Sequence, residues 1–254
     1  MKRAIWLGVV CLLFGLSHKG GAQTNRDIGQ TSVTSPHIGL MGGGFAPQGD
    51  WSIRYGIFGQ MGLTAGLKTA NNNYLYVKAT SWSGANVEEP GLLSDLTTSQ
   101  GQIIDNEGDI AQITITGRGG QFGMGIGKIF PTVWSNPNSG WMIKLGAGSL
   151  HHKVHFGYSE NRISPLEGER VKGYDRMRWG GYGEVFTGFW FMSDNQRINV
   201  FAGLSAGMSK TFSMRTQNFD TLELNDPEAW DGWMGIEAGW VFHIYRRSAK
   251  EYWY

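Results

Sequence analysis

The sequence predicts an all-β chain, an antiparallel up-and-down transmembrane β-barrel of about eight strands. Three observations predict it. Apolar side chains recur with a period of two through segment after segment. The connections between segments alternate between short and long. The chain's 39 glycines stand beside 11 tryptophans, 13 phenylalanines and 9 tyrosines. That mixture weakens helix interiors and suits curved sheets, where strands bend and side chains crowd.

Residues 1–22 have the layout of a secretory signal peptide. Lys2 and Arg3 form a basic start, Ala4 to Leu16 is apolar, and Gly20-Gly21-Ala22 supplies small residues before Gln23, which places cleavage after Ala22. The apolar run is shorter than the roughly 20 residues that a helix needs to cross a bilayer. Cys11, the single cysteine, stands inside that run with Leu12, Leu13 and Phe14 still to come. Lipidation there would leave hardly any leader. The exported chain would then carry no cysteine, which excludes disulfides, a thiol nucleophile and cysteine metal sites. A formal net charge of +1 gives no reason to expect a nucleic-acid partner.

Residues 23–35 are polar, lack apolar periodicity and read as a flexible periplasmic lead-in. The barrel is assigned to 36–245, with segments at 37–45, 51–65, 74–83, 110–129, 141–156, 178–192, 197–214 and 230–245. In the second, Trp51, Ile53, Tyr55, Ile57, Met61 and Leu63 face away from Arg54 and Gln60. In the third, Leu75, Val77 and Ala79 oppose Lys78, and in the fifth Ile143, Leu145 and Ala147 oppose Lys144. Ile198, Val200, Ala202, Leu204 and Ala206 oppose Asn199 and Ser205 in the seventh. The last sets Met234, Ile236, Ala238, Trp240, Phe242 and Ile244 against Asp231, Glu237 and His243, with Trp233 and Val241 as exceptions. Such alternation means strands with one apolar face. A soluble β-sandwich alternates too; the strand lengths and the order of the loops favour a membrane barrel.

That order sets short turns at 66–73, 133–140 and 193–196 between longer loops at 84–109, 157–177 and 215–229. Only the first hairpin, at 47–50, is short on the long-loop side. Outer-membrane barrels have short periplasmic turns and long external loops, so both termini are expected in the periplasm. The tail, 246–254, carries Arg246, Arg247 and Lys250, which can meet lipid phosphates or a partner there.

The inward faces hold Arg54, Lys78 and Lys144 against Glu184 and Glu237. An eight-stranded barrel is just wide enough for side chains to fill. Opposite charges should therefore meet and plug the interior, because unpaired ones would be costly. A proton or ion path through them is the competing reading. His151, His152 and His155 cluster near a rim, but their spacing splits the rings between two faces and makes a metal site awkward. Ser149 and Glu160 lie nearby without forming a clear triad for a lipid acylase or deacylase. No catalytic, metal or cofactor-binding residue is assigned.

Two loops are acidic. One holds Glu88, Glu89, Asp95, Asp105, Glu107 and Asp109; the other holds Asp220, Glu223, Asp226, Glu228 and Asp231. They read as solvated tips or as sites where divalent ions bridge to lipopolysaccharide. The loop 157–177 mixes both charge signs with apolar residues, and Tyr158, Leu166, Tyr174 and Arg176 are its candidate partner-contact residues.

The segment from Glu237 through Gly239 and Phe242 to Ile244 resembles the terminal signal by which barrel-assembly machinery recognises a last strand, although Arg246 to Tyr254 follow it. Gly-Ser-Leu-His-His-Lys at 148–153, Gly-Tyr-Asp-Arg at 173–176 and Gly-Trp-Val-Phe-His-Ile-Tyr-Arg-Arg at 239–247, with the Gly-Ala-Gln cleavage region, resemble small outer-membrane barrels of Bacteroidota. The resemblance implies an accessory barrel of a secretion or barrel-assembly complex, with no catalytic residue carried over. The expected function is a non-enzymatic outer-membrane subunit or scaffold, contacting complex subunits, lipopolysaccharide and lipids. The alternatives are an outer-membrane lipid-modifying enzyme and a narrow channel or stand-alone structural, porin-like protein.

Overall fold

The computed structural model describes residues 29–131, 136–158, 162–194, 198–222, 224 and 228–244. The signal peptide, the start of the lead-in, Tyr245, the tail at 246–254, and Glu160, Glu223 and Asp226 lie outside the described residues.

The strands are β1 (Ser35–Gly49), β2 (Phe58–Lys68), β3 (Asn73–Gly84), β4 (Thr114–Phe130), β5 (Gly140–Gly157), β6 (Arg178–Met192), β7 (Asn199–Ser213) and β8 (Glu228–His243). Each pairs antiparallel with the next, and β1 pairs with β8 from His37↔His243 to Gly49↔Asp231, which closes the barrel and leaves no free edge. The expected fold is the one observed.

Burial alternates along the strands as the period of two requires. Ile38, Leu40, Met61, Leu63, Leu75, Met124, Ile126, Leu145, Leu204, Met208 and Ile236 are exposed on the outer wall, while Tyr74, Tyr76, Lys78, Lys144, Phe186 and Glu237 are buried inside. A wall of exposed aliphatics around a polar and aromatic interior is the inverse of a water-soluble protein. It is the form of a barrel standing in lipid. No helix among the described residues is long and apolar enough to cross a membrane.

Residues 51–65 depart from the single strand expected. Trp51–Arg54 is one helical turn, and β2 begins only at Phe58. Trp51 and Tyr55 are four apart, a spacing that satisfies both the strand and the helix period. Both rings are buried at the barrel mouth rather than exposed on its wall. Of the lead-in, residues 29–35 are described. Val33 N–H donates to Asn138 Oδ1 at 2.9 Å, Asn138 donates back to the Thr31 carbonyl at 2.9 Å, and Lys68 Nζ donates to Asn138 Oδ1 at 2.8 Å. These bonds tie Thr31 and Val33 to Asn138 at the terminal end of the barrel.

On the inner face of β4 nearly every position is glycine: Gly117, Gly119, Gly123, Gly125 and Gly127, with Gln121 among them. A Cβ at Gly119 would come 2.4 Å from Trp82 Nε1, and one at Gly125 would come 2.6 Å from the Tyr76 ring. The stripe is a floor on which inward aromatic rings lie against backbone.

Candidate functional site

Two charge pairs cross the middle of the lumen. Lys78 on β3 is ion-paired to Glu184 on β6, and Lys144 Nζ on β5 lies 2.8 Å from Glu237 Oε1 on β8. Tyr76 donates to Glu184 at 3.2 Å, while Phe186 and Phe201 place their ring centroids 4.0 and 4.3 Å from Lys144 Nζ. The structure thus brings Lys78, Lys144, Glu184 and Glu237 together as two pairs. Arg54 does not join them. It lies in the helical turn at the mouth, where its Nε sits 3.1 Å from Glu89. The assignment of Arg54 to the inner wall of β2 is corrected, because the chain has not yet entered the strand at that residue.

Above the struts, aromatic rings close the mouth. Trp51 packs edge-on against Tyr55, Phe58, Trp82 and His152, with Trp233 beside it. His152 is the one inward member of the histidine cluster; His151 and His155 point outward from β5. His152 Nε2 lies 3.3 Å from Asp231 Oδ2 and Nδ1 lies 3.2 Å from the Tyr55 hydroxyl. Thr211 donates to the same Asp231 oxygen and Arg178 Nε donates to Thr211 Oγ1. Sequence reasoning put Asp231 and His152 in the chain but not together. The register that joins β5 to β8 across the lumen cannot be read from either segment alone. At the opposite end, His37, Tyr74, Trp190, Ile129 and Met142 fill the interior.

The four connections at the far end from the termini fold into a cap. Arg54 pairs with Glu89, Glu89 with Arg176 at 3.4 Å, and Arg176 with Asp220 at 2.7 Å, while Asp220 also accepts the Leu93 N–H at 2.9 Å. This one chain of charges joins one residue from each of these four connections, Arg54, Glu89, Arg176 and Asp220. Arg215 makes a two-pronged pair with Asp175 at 2.9 and 2.7 Å, which raises its guanidinium above its usual value. Tyr174 donates to Asp95 at 2.8 Å; burial, reinforced by that carboxylate, pushes its phenol above the ordinary range. Beneath the charges, Leu93, Val154, Phe156, Ile163 and Leu166 form an apolar core continuous with the rings at the mouth.

Glu89 and Asp220 of the acidic loops are thus held by Arg54 and Arg176 of this chain, and among the described residues no group of three or more His, Asp or Glu is set to hold a metal. The candidate partner contacts of 157–177 are corrected in the same way. Leu166, Tyr174 and Arg176 are buried and Tyr158 is packed against the cap core, so they anchor the cap instead of offering a surface. Mixed charge with apolar residues is the composition of an interface, and here the interface is internal.

No family model matches the chain, and no curated protein matches it in sequence. Among solved structures it is similar to Ail, the attachment invasion locus protein of Yersinia pestis, solved with the heparin analogue sucrose octasulfate (TM-score 0.41, 12% identity, 82% of this chain and 97% of that one). It is also similar to the outer membrane protein OprG from Pseudomonas aeruginosa (TM-score 0.38, 13% identity, 86% and 100%). A third is a major outer membrane protein from Thermus thermophilus (TM-score 0.41, 8% identity, 82% and 99%). The likeness is one of barrel architecture, and no activity is carried over from it.

Proposed function

We propose that this protein is a non-enzymatic outer-membrane barrel, a subunit or scaffold of an envelope protein complex that works through its cap and its wall. The observation that carries this reading is the filled axis. Cross-lumen ion pairs occupy the middle, rings occupy both ends, and the cap covers one mouth. A channel has no evident path through such an interior. The apolar wall and the expected leader support placement in an outer membrane, and the unequal connections support periplasmic termini with the cap outside.

A lipid-modifying enzyme would need an acid beside Ser149 and His151. On that face of β5 their neighbours are Lys153 and His155, with Arg118 across on β4. The chemistry there is basic, which disfavours a triad.

The cap offers a contact surface of its own. A small hairpin bridged at Gln217↔Leu224 exposes Phe219, Leu222 and Leu224, and Leu222 adopts a left-handed φ of 57°. Large apolar side chains displayed to solvent in this way suit a protein partner. Native electrophoresis of gently solubilised envelopes tests the reading. The wild-type protein is expected in a complex larger than the monomer, and Leu222→Ser with Leu224→Ser is expected to release a folded, heat-modifiable barrel. A wild-type protein running as a lone monomer would contradict the scaffold role.

A further inference from the structure

The outer wall changes character where β4 and β5 leave the apolar belt. Along β4 the outward residues Ile126, Met124 and Phe122 give way to Arg118; along β5, Ile143, Leu145, Ala147 and Ser149 give way to His151, Lys153 and His155. Arg118 and Lys153 are direct cross-strand partners and both are exposed. Like charges directly opposite one another destabilise a sheet. Both lie within electrostatic range of His155. The His151 ring leans across Gly120, where a Cβ would come 2.9 Å from its Cε1. Beside His151 on β6 stands Trp179, half exposed, the kind of residue that marks the headgroup level of a bilayer.

Among the described residues, no carboxylate pairs with Arg118 or Lys153. The contrast is Lys210, which also faces outward near this end of the barrel. Its Nζ is 2.7 Å from Glu228 and it lies beside the Phe212 and Trp230 rings. One outward cation is neutralised by the chain itself; the Arg118–Lys153 pair is left for something else.

We propose that Arg118 and Lys153, with His151 and His155, bind the phosphate of a membrane lipid whose acyl chains lie on the apolar wall below, against Phe122 and Leu145. This rests on the reading of the chain as membrane-spanning. Guanidinium offers a phosphate a two-pronged fork, ammonium adds a point charge, and the imidazoles add N–H donors. A lipid suits the place better than free phosphate because the basic cluster opens directly onto the belt. Phe122 and Arg118 are four residues apart on one strand, about 13 Å at some 3.3 Å per residue, which a headgroup and its first methylenes span.

The test uses the full exported chain in phosphatidylcholine nanodiscs containing a small fraction of diphosphorylated lipid A, with native mass spectrometry reading the lipid retained. Arg118→Ser with Lys153→Ser is expected to weaken retention at least about tenfold, since two charge-assisted contacts are lost. Lys210→Ser should leave retention unchanged, and dephosphorylated lipid should bind the wild type no better than the double variant. Arg118→Gln with Lys153→Gln keeps the long side chains and should show the same loss if the serine pair folds poorly. Equal retention by wild type and double variants would overturn the site. Displacement by inorganic phosphate at matched concentration would overturn its assignment to a lipid. A protein that does not enter nanodiscs at all would instead count against the membrane reading on which the site depends.

Discussion

Lys144 Nζ and Glu237 Oε1 lie 2.8 Å apart across the lumen, joining β5 to β8 with both side chains nearly sealed from solvent. Removing one partner leaves the other charge buried and alone, a loss on the order of 3–5 kcal/mol. Glu237→Ala should therefore lower the unfolding midpoint of the purified barrel far more than Glu107→Ala on the exposed cap surface. Replacing both partners together, Lys144→Met with Glu237→Leu, should recover most of the loss, because no stranded charge remains. Equal midpoints for Glu237→Ala and Glu107→Ala would refute the strut.

The glycine floor of β4 gives a second expectation. A Cβ at Gly125 would meet the Leu145 carbonyl at 2.2 Å as well as the Tyr76 ring. Backbone cannot yield as a side-chain tip can, so Gly125→Ala should cost about 1–3 kcal/mol. Gly59 on the outer face of β2 has nothing within 4 Å of its would-be Cβ. Gly59→Ala should be neutral or stabilising by about 0.5 kcal/mol. Denaturant midpoints of the two variants check the sign at each position.

The cap makes a third. Asp220 holds both Arg176 and the Leu93 N–H, so Asp220→Ala should open the cap while the strands remain paired. Limited proteolysis of whole cells should then cut within 85–113 and 158–177, where the wild-type protein resists. A variant as resistant as the wild type would show that the charge chain does not hold the loops.

The strands were legible because one face meets lipid and the other a packed interior, and alternation such as that of Leu75, Val77 and Ala79 against Lys78 reports it directly. The lumen charges were legible for the same reason: a charged residue on the inward phase of a strand has nowhere else to go. Arg54 misled because Trp51 and Tyr55 stand at a spacing shared by strand and helical turn. The cap misled because an internal interface and an external one have the same composition; Tyr174 and Leu166 look alike in either. Contacts that need register across the barrel, such as His152 with Asp231, have no local signature. The basic pair Arg118 and Lys153 is also invisible until the register sets them side by side.

On the proposed function the barrel is sealed along its axis and works through its surfaces. Conductance of the purified protein in planar bilayers tests it most directly. The filled lumen predicts no discrete current steps above the bare membrane, even after the cap is loosened by Asp220→Ala, because the Lys78–Glu184 and Lys144–Glu237 struts remain in place. Reproducible single-channel steps from the wild-type protein would contradict the account.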